Sequence, residues 1–175
     1  MHDELKSQFD FTSAYEGIVP YLYKDSRGFV TCGVGHLCAT REALNPLPWK
    51  PSLAAAQYDW RELANTGGVH AAEYYRQLTV ARLEFASIVA LFDHDMAIAE
   101  SGIRTWLVER YALEVQIVLR DMVFNLGAAR MSKYIKLRAA LDRADYPMAA
   151  DECHRNGVQS ARNEACRKLI LSCRT

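Results

Sequence analysis

No run of residues in this chain is apolar for long enough to cross a membrane, which takes about 20 in succession. The first eight residues, Met1-His-Asp-Glu-Leu-Lys-Ser-Gln, lack the charged-then-apolar order of an export signal. The expectation is a chain made in the cytoplasm without a signal peptide and without a transmembrane segment. Net charge is also lacking, with 21 Lys and Arg against 21 Asp and Glu. No basic run or recognised binding motif accompanies that balance, so nucleic acid is excluded as a partner. Repeats and low-complexity segments are absent. Half of the 175 residues are hydrophobic, enough for a real core, and one compact domain over 1–175 is the default. Five cysteines (Cys32, Cys38, Cys153, Cys166 and Cys173) cannot all pair within one chain, and without an export signal reduced thiols are expected. Cys32 and Cys38 frame Gly33-Val-Gly-His36, but the spacing fits no zinc module and no second ligand pair is near. Asp93, His94 and Asp95 are consecutive on a helical pattern, so they point about 100° apart and cannot converge on one ion. No metal and no cofactor are expected.

What is present is concentrated between residues 15 and 36. Eight residues separate Glu16 from Asp25, and five separate Asp25 from Thr31. One short segment thus holds an acid able to protonate a leaving oxygen, a carboxylate able to activate water, and a hydroxyl able to position it, the parts a glycosidase needs. Phe9 to Tyr15 reads as a short helix that Gly17 stops. Pro20 forbids its continuation, and Tyr21-Leu-Tyr23 favours a strand. Asp25-Ser-Arg-Gly28 has turn composition, with Gly28 available for positive φ. Alternation from Phe29 puts Phe29 and Thr31 on one face and Val30 and Cys32 on the other. Taken singly, Glu16 reads as a cap, Asp25 as a turn residue and Thr31 as a strand residue; together at this spacing they read as catalytic.

The segment resembles the catalytic motif of the phage-type lysozymes, glycoside hydrolase family 24. Glu16, Asp25 and Thr31 fall on that family's Glu–Asp–Thr triad, and Gly33-Val-Gly-His36 on its Gly-x-Gly-His. Further matches run through Pro51-Ser-Leu-Ala-Ala-Ala, Leu91-Phe-Asp-His-Asp95 to Gly102-Ile103, Met122-Val-Phe-Asn-Leu-Gly127, and Gly157 to Arg167. The Leu37–Lys50 stretch is longer than the family's usual connection, and Ala161 stands where one of two consecutive arginines is common. The resemblance implies an α+β, mostly helical, lysozyme-like two-lobe fold. A hairpin-containing lobe would cover about 16–80, a connecting helix about 81–106, and a helical lobe about 107–175 with residues 1–15.

The resemblance also implies a muramidase, a peptidoglycan hydrolase that cleaves the β-1,4 bond between N-acetylmuramic acid and N-acetylglucosamine with inversion. Glu16 would donate the proton, and Asp25 and Thr31 would manage the water. Inversion needs the carboxyls roughly 6.5–9.5 Å apart. The setting would be phage lysis or antibacterial attack, in the periplasm or cell wall after export or lysis-associated release. The expected partners are peptidoglycan strands and, for a secreted effector, an immunity or inhibitor protein; the chain is expected to be a monomer. Alternatives are a lytic transglycosylase, which leaves Asp25 and Thr31 unexplained, and a non-catalytic peptidoglycan-binding domain, against which an intact triad argues. Substrate-binding candidates are Asn125, whose amide can serve a sugar or the helix end; Phe29, for which hairpin packing is the stronger alternative; and Arg162, from the closing motif. The resemblance pairs His36 with Asp95 in a structural role beside the site.

Residues 1–100 carry 8 basic and 13 acidic residues and 101–175 carry 13 and 8, about −5 against +5. That asymmetry suits an anionic glycan, although ordinary solvated surface is the simpler reading. Past the hairpin, helices are expected over Leu53–Leu63 with Ser52 as N-cap, Leu78–Trp106, Glu109–Leu126, Tyr134–Arg143, Met148–His154 after Pro147, and Arg162–Leu171. Strand is expected only within 21–36.

Overall fold

The structure is a computed structural model describing residues 7–173; the N-terminal stretch in which no export signal is expected lies largely outside them. It is a mostly helical α+β protein with one small antiparallel sheet. The chain divides into two compact units, Glu16–Asp95 and a second made of the chain up to Tyr15 and from Met96 onward.

The helix α1 (Gln8–Glu16) ends where Gly17 takes φ +83°, a conformation that costs a side-chain-bearing residue about 1–2 kcal/mol. The sheet of the Glu16–Asp95 unit follows: β1 (Val19–Lys24), β2 (Val30–Gly33) and β3 (His36–Leu37), paired in chain order. Strand therefore reaches beyond 21–36, because β3 adds a third strand to the expected hairpin. Pro20 has no N–H to give a ladder, and it sits where the β1–β2 register shifts between Val19 and Tyr23. Its carbonyl instead accepts from Leu83 N at 2.8 Å. The cross-strand pairs put Tyr23, Thr31 and Leu37 on one face and Lys24, Val30, Cys32 and His36 on the other.

Thr31 and the pair Val30 and Cys32 face opposite ways, as the alternation from Phe29 indicates, yet both faces of β2 are covered. All four of its residues are buried, since β2 is paired on both edges and packs against α2 (Leu53–Asn65), with Ile88 and Leu91 close over Gly33. Ser52 caps α2 as its sequence indicates, accepting from Ala55 N, and Thr66 ends it. The short α3 (Ala72–Arg76), which carries no strong periodic signal, buries Tyr75 and packs on β1.

The helix expected over 78–106 is shorter. It runs as α4 (Phe85–Ser101), and Phe85 is exposed rather than on the buried face. Residues 80–83 are held extended from outside. Buried Asp59 accepts from the backbone of Val80 and Ala81 at 2.8 and 2.7 Å, and Arg82 exchanges backbone bonds with Lys50. With the Arg82 carbonyl also taken by Lys50 N, the segment stays extended and the helix begins at Phe85. Beyond α4, Leu107 takes φ +50° and Tyr111 is extended, so Glu109 lies in a separate 3-10 turn and α5 starts only at Leu113 (Leu113–Leu126).

The second unit is built around α5. Val115, Ile117, Val118, Leu119, Met122 and Val123 are buried in its core together with Phe11 of α1. Burying side chains of this size stabilises by about 1.5–3 kcal/mol each. Four further helices surround them: α6 (Ala128–Met131), α7 (Ile135–Asp142), α8 (Tyr146–Glu152) and α9 (Ser160–Ser172). Gly127 ends α5 at φ +76°. Pro147 stands in the first turn of α8 behind an Asp145 cap that accepts from Met148 N at 3.1 Å. α5 is not apolar all round, however: Asp121 sits fully buried at its centre.

Candidate active site

Glu16 is the last residue of α1, half-buried, and the positive-φ Gly17 turns the chain away directly after it. Asp25 opens the β1–β2 turn. Its Oδ1 accepts from the backbone N–H groups of Arg27 and Phe29, both at 2.9 Å, so the turn fixes the carboxylate and the carboxylate fixes the turn. Oδ2 is the oxygen not committed to the backbone, with the exposed Arg27 guanidinium 3.5 Å away and the Asp25 side chain 22 % exposed. Thr31, across the sheet from Tyr23, is buried and donates from Oγ1 to the Tyr23 carbonyl at 3.4 Å.

Tyr23 stands opposite Thr31 in the sheet. Burial pushes its phenol above the usual value, the adjacent Thr31 hydroxyl pulls it down, and the negative charges of Glu16 and Asp25 add to the upward push. A single phenol thus senses both carboxylates and touches the threonine. From sequence, Tyr23 reads as a strand residue. Five residues, 25–29, separate Lys24 from its partner Val30, one more than the Asp25–Gly28 turn signal spans, and that extra residue sets Tyr23 opposite Thr31.

Phe29 is 50 % exposed beside the turn, with the Arg27 guanidinium 5.1 Å over its ring. It is a solvent-facing platform rather than a hairpin-packing residue. His36 on β3 meets Asp95 on α4, Nδ1 to Oδ2 at 2.8 Å, with 21 % and 20 % of the side chains exposed. The hydrogen bond to Asp95 raises the pKa of His36, burial opposes this, and the carboxylate's charge adds to the rise. This contact ties the strand next to Thr31 to α4.

The other two candidates belong to the second unit. Asn125 is exposed in the last turn of α5. Arg162 is a correction: it is 2 % exposed, and its guanidinium grips Asp121 with two bonds, Nε to Oδ2 at 3.1 Å and Nη2 to Oδ1 at 2.8 Å. It also lies over the Tyr15 ring. An arginine so buried presents no surface to a sugar. Asp121 further receives Arg155 at 3.0 Å and the Thr12 hydroxyl at 3.0 Å. This buried node was not expected, because a single aspartate in an apolar helix carries no mark of the arginines that reach it from elsewhere in the chain.

Among the described residues no group of three or more His, Cys, Asp and Glu side chains could hold a metal ion, and no helix is long and apolar enough to cross a membrane. No family model matches the chain, and no curated protein matches it.

Proposed function

We propose that this chain is a muramidase of the lysozyme type, hydrolysing the β-1,4 bond between N-acetylmuramic acid and N-acetylglucosamine in peptidoglycan. The observation that carries the reading is the placement of Glu16 at the end of α1, Asp25 in the β1–β2 turn and Thr31 on the paired strand, all within one compact unit. A sugar alkoxide is a poor leaving group, so Glu16 protonates the glycosidic oxygen as the bond stretches. Asp25, oriented by two backbone amides, takes a proton from water, and Thr31 directs that water onto the anomeric carbon. Attack from the face opposite the leaving group gives inversion. Phe29 offers an apolar ring for a sugar face to stack on.

A lysozyme-like two-lobe fold is part of the same proposal. Glu16–Asp95 would be the hairpin-containing lobe and the remaining chain the helical lobe. Action in the periplasm or cell wall, after export or lysis-associated release, follows from the substrate. For a secreted effector, an immunity or inhibitor protein would complete the system.

The test is digestion of purified peptidoglycan followed by mass analysis of the muramic ends. Reducing ends are the expected product. Ends of 1,6-anhydro type would replace hydrolysis by transglycosylation, and an undigested wall would remove the enzymatic reading altogether.

A further inference from the structure

Cys32 on β2 and Cys38, directly after β3, are both buried, and their sulfurs lie 3.7 Å apart. The backbone sets them as diagonal neighbours, two positions apart across the ladder. Cys32 pairs with His36, and Cys38 N donates to the Val30 carbonyl at 2.8 Å. Trp60 Nε1 holds the Cys38 carbonyl at 2.8 Å. A disulfide needs its sulfurs about 2.05 Å apart, so oxidation has to draw these two together from their present contact. The remaining three sulfurs are engaged elsewhere: Cys153 with the Ala150 carbonyl, Cys166 with Arg155 and Asp121, and Cys173 with Glu114 and the Leu169 carbonyl.

We propose that Cys32 and Cys38 are an oxidation site, closing to a cystine that clamps β2 to β3 when the chain folds in the presence of a small-molecule disulfide such as oxidised glutathione. The inference does not depend on the muramidase reading. It resolves the odd cysteine count as one pair and three thiols. It also gives the sheet that carries Thr31 and His36 a covalent brace.

The two sulfurs are not equivalent. The bond from Cys32 holds the Cys38 thiol below its usual value, burial opposes this and nearby His36 assists, while Cys32 is pushed well up. That asymmetry belongs to the seated sheet, where both sulfurs are shielded, so the small disulfide is met before β3 seats. One of the two cysteines, as its thiolate, attacks one of the small disulfide's sulfurs, forming a mixed disulfide and releasing one small thiol. Seating of β3 then brings up the other cysteine, which loses its proton, bonds to the first cysteine's Sγ and displaces the second small thiol. Two protein thiols give up two electrons and two protons, and the small disulfide is reduced to two thiols.

The experiment refolds the full reduced chain in a reduced/oxidised glutathione buffer, and in parallel under reductant, then alkylates and digests with trypsin. Both cysteines fall in one tryptic peptide, Gly28–Arg41. After oxidising refolding that peptide should be about 2 Da lighter and carry no alkyl group, because its two thiols have become one disulfide. Cys153, Cys166 and Cys173 should be alkylated once the protein is denatured. The oxidised chain should also show an unfolding constant lowered about 10- to 50-fold, as closing so short a loop predicts. A Cys32→Ser, Cys38→Ser chain should lose this redox dependence. Two alkyl groups on the peptide, linkage to any of the other three cysteines, or an oxidised protein no more stable than the reduced one would each overturn the proposal. The peptide measurement uses the wild-type chain and no wall substrate, so its result stands apart from the outcome of the peptidoglycan digest.

Discussion

Replacing His36 by asparagine removes a pH-dependent tie between β3 and α4 and leaves a neutral side chain of similar reach. The bond it loses spans 2.8 Å with about a fifth of each partner exposed. A hydrogen bond to a charged group contributes about 1.5–3 kcal/mol. Fully exposed ion pairs contribute under about 1 kcal/mol, and breaking a buried one costs about 3–5. The intermediate burial sets the expected loss at about 1.5–2.5 kcal/mol while the imidazole is charged, or roughly 10- to 70-fold in the unfolding constant. The sign follows from linkage. Because the folded pKa of His36 is raised above its ordinary value of 6.5, its contribution is fully present below the unfolded pKa. It is then lost as pH rises through the folded one. Urea titrations of wild type and His36→Asn at pH 6, 7.5 and 9 should show the widest gap at pH 6 and a narrowing gap above. A gap that stays constant across the series would refute a charged histidine at this contact.

Glu16→Gln keeps the shape at the end of α1 but removes the proton; wall clearing should fall about 10²–10⁴-fold in a protein whose thermal unfolding is unchanged. Wild-type clearing rates would remove Glu16 from the mechanism. Asp25→Asn retains an Oδ1 that can still accept from Arg27 and Phe29, so the turn should survive while kcat drops with little change in KM. Thr31→Val should behave likewise; a loss confined to KM in either variant would make that residue a substrate contact. Asp121→Ala strands the buried guanidinium groups of Arg155 and Arg162 and should cost about 3–5 kcal/mol in denaturant titration. A loss below about 1 kcal/mol would mean that the two arginines find other partners.

Local signals were the readable ones. The stop at Gly17, the turn from Asp25 to Gly28, the Ser52 cap and the Pro147 helix start each depend on residues within four positions of one another, and each appears where its chemistry puts it. The local settings of Glu16, Asp25 and Thr31 were legible for the same reason, since the helix end, turn and strand that hold them follow one another directly in sequence. Interactions that cross the chain were not. Residues 80–83 have helical spacing but are drawn out by Asp59, Lys50 and Pro20, between 21 and 63 positions away. Arg162 carries the chemistry of a ligand-binding cation, and only its partner Asp121, 41 positions distant, makes it a core residue. Phe85 has the period of a buried face and lies in the first turn of a helix that starts later than its pattern.

The bond from Thr12 to Asp121 spans 109 positions, and it bears on the order in which the protein takes shape on the ribosome. The Glu16–Asp95 unit is a single continuous stretch, so its sheet and flanking helices can assemble as soon as that stretch has left the exit tunnel. The other unit is divided, with α1 made first and its partner helix α5 made last but for the closing segments. Asp121 needs Arg155 and Arg162 as well as Thr12 before its charge is balanced. The N-terminal helix is therefore synthesised long before its binding place exists, and Phe11 has no core to join until α5 has been made. An 80-residue interval between a helix and its place in the core makes this chain a substrate for whatever guards exposed apolar segments during translation.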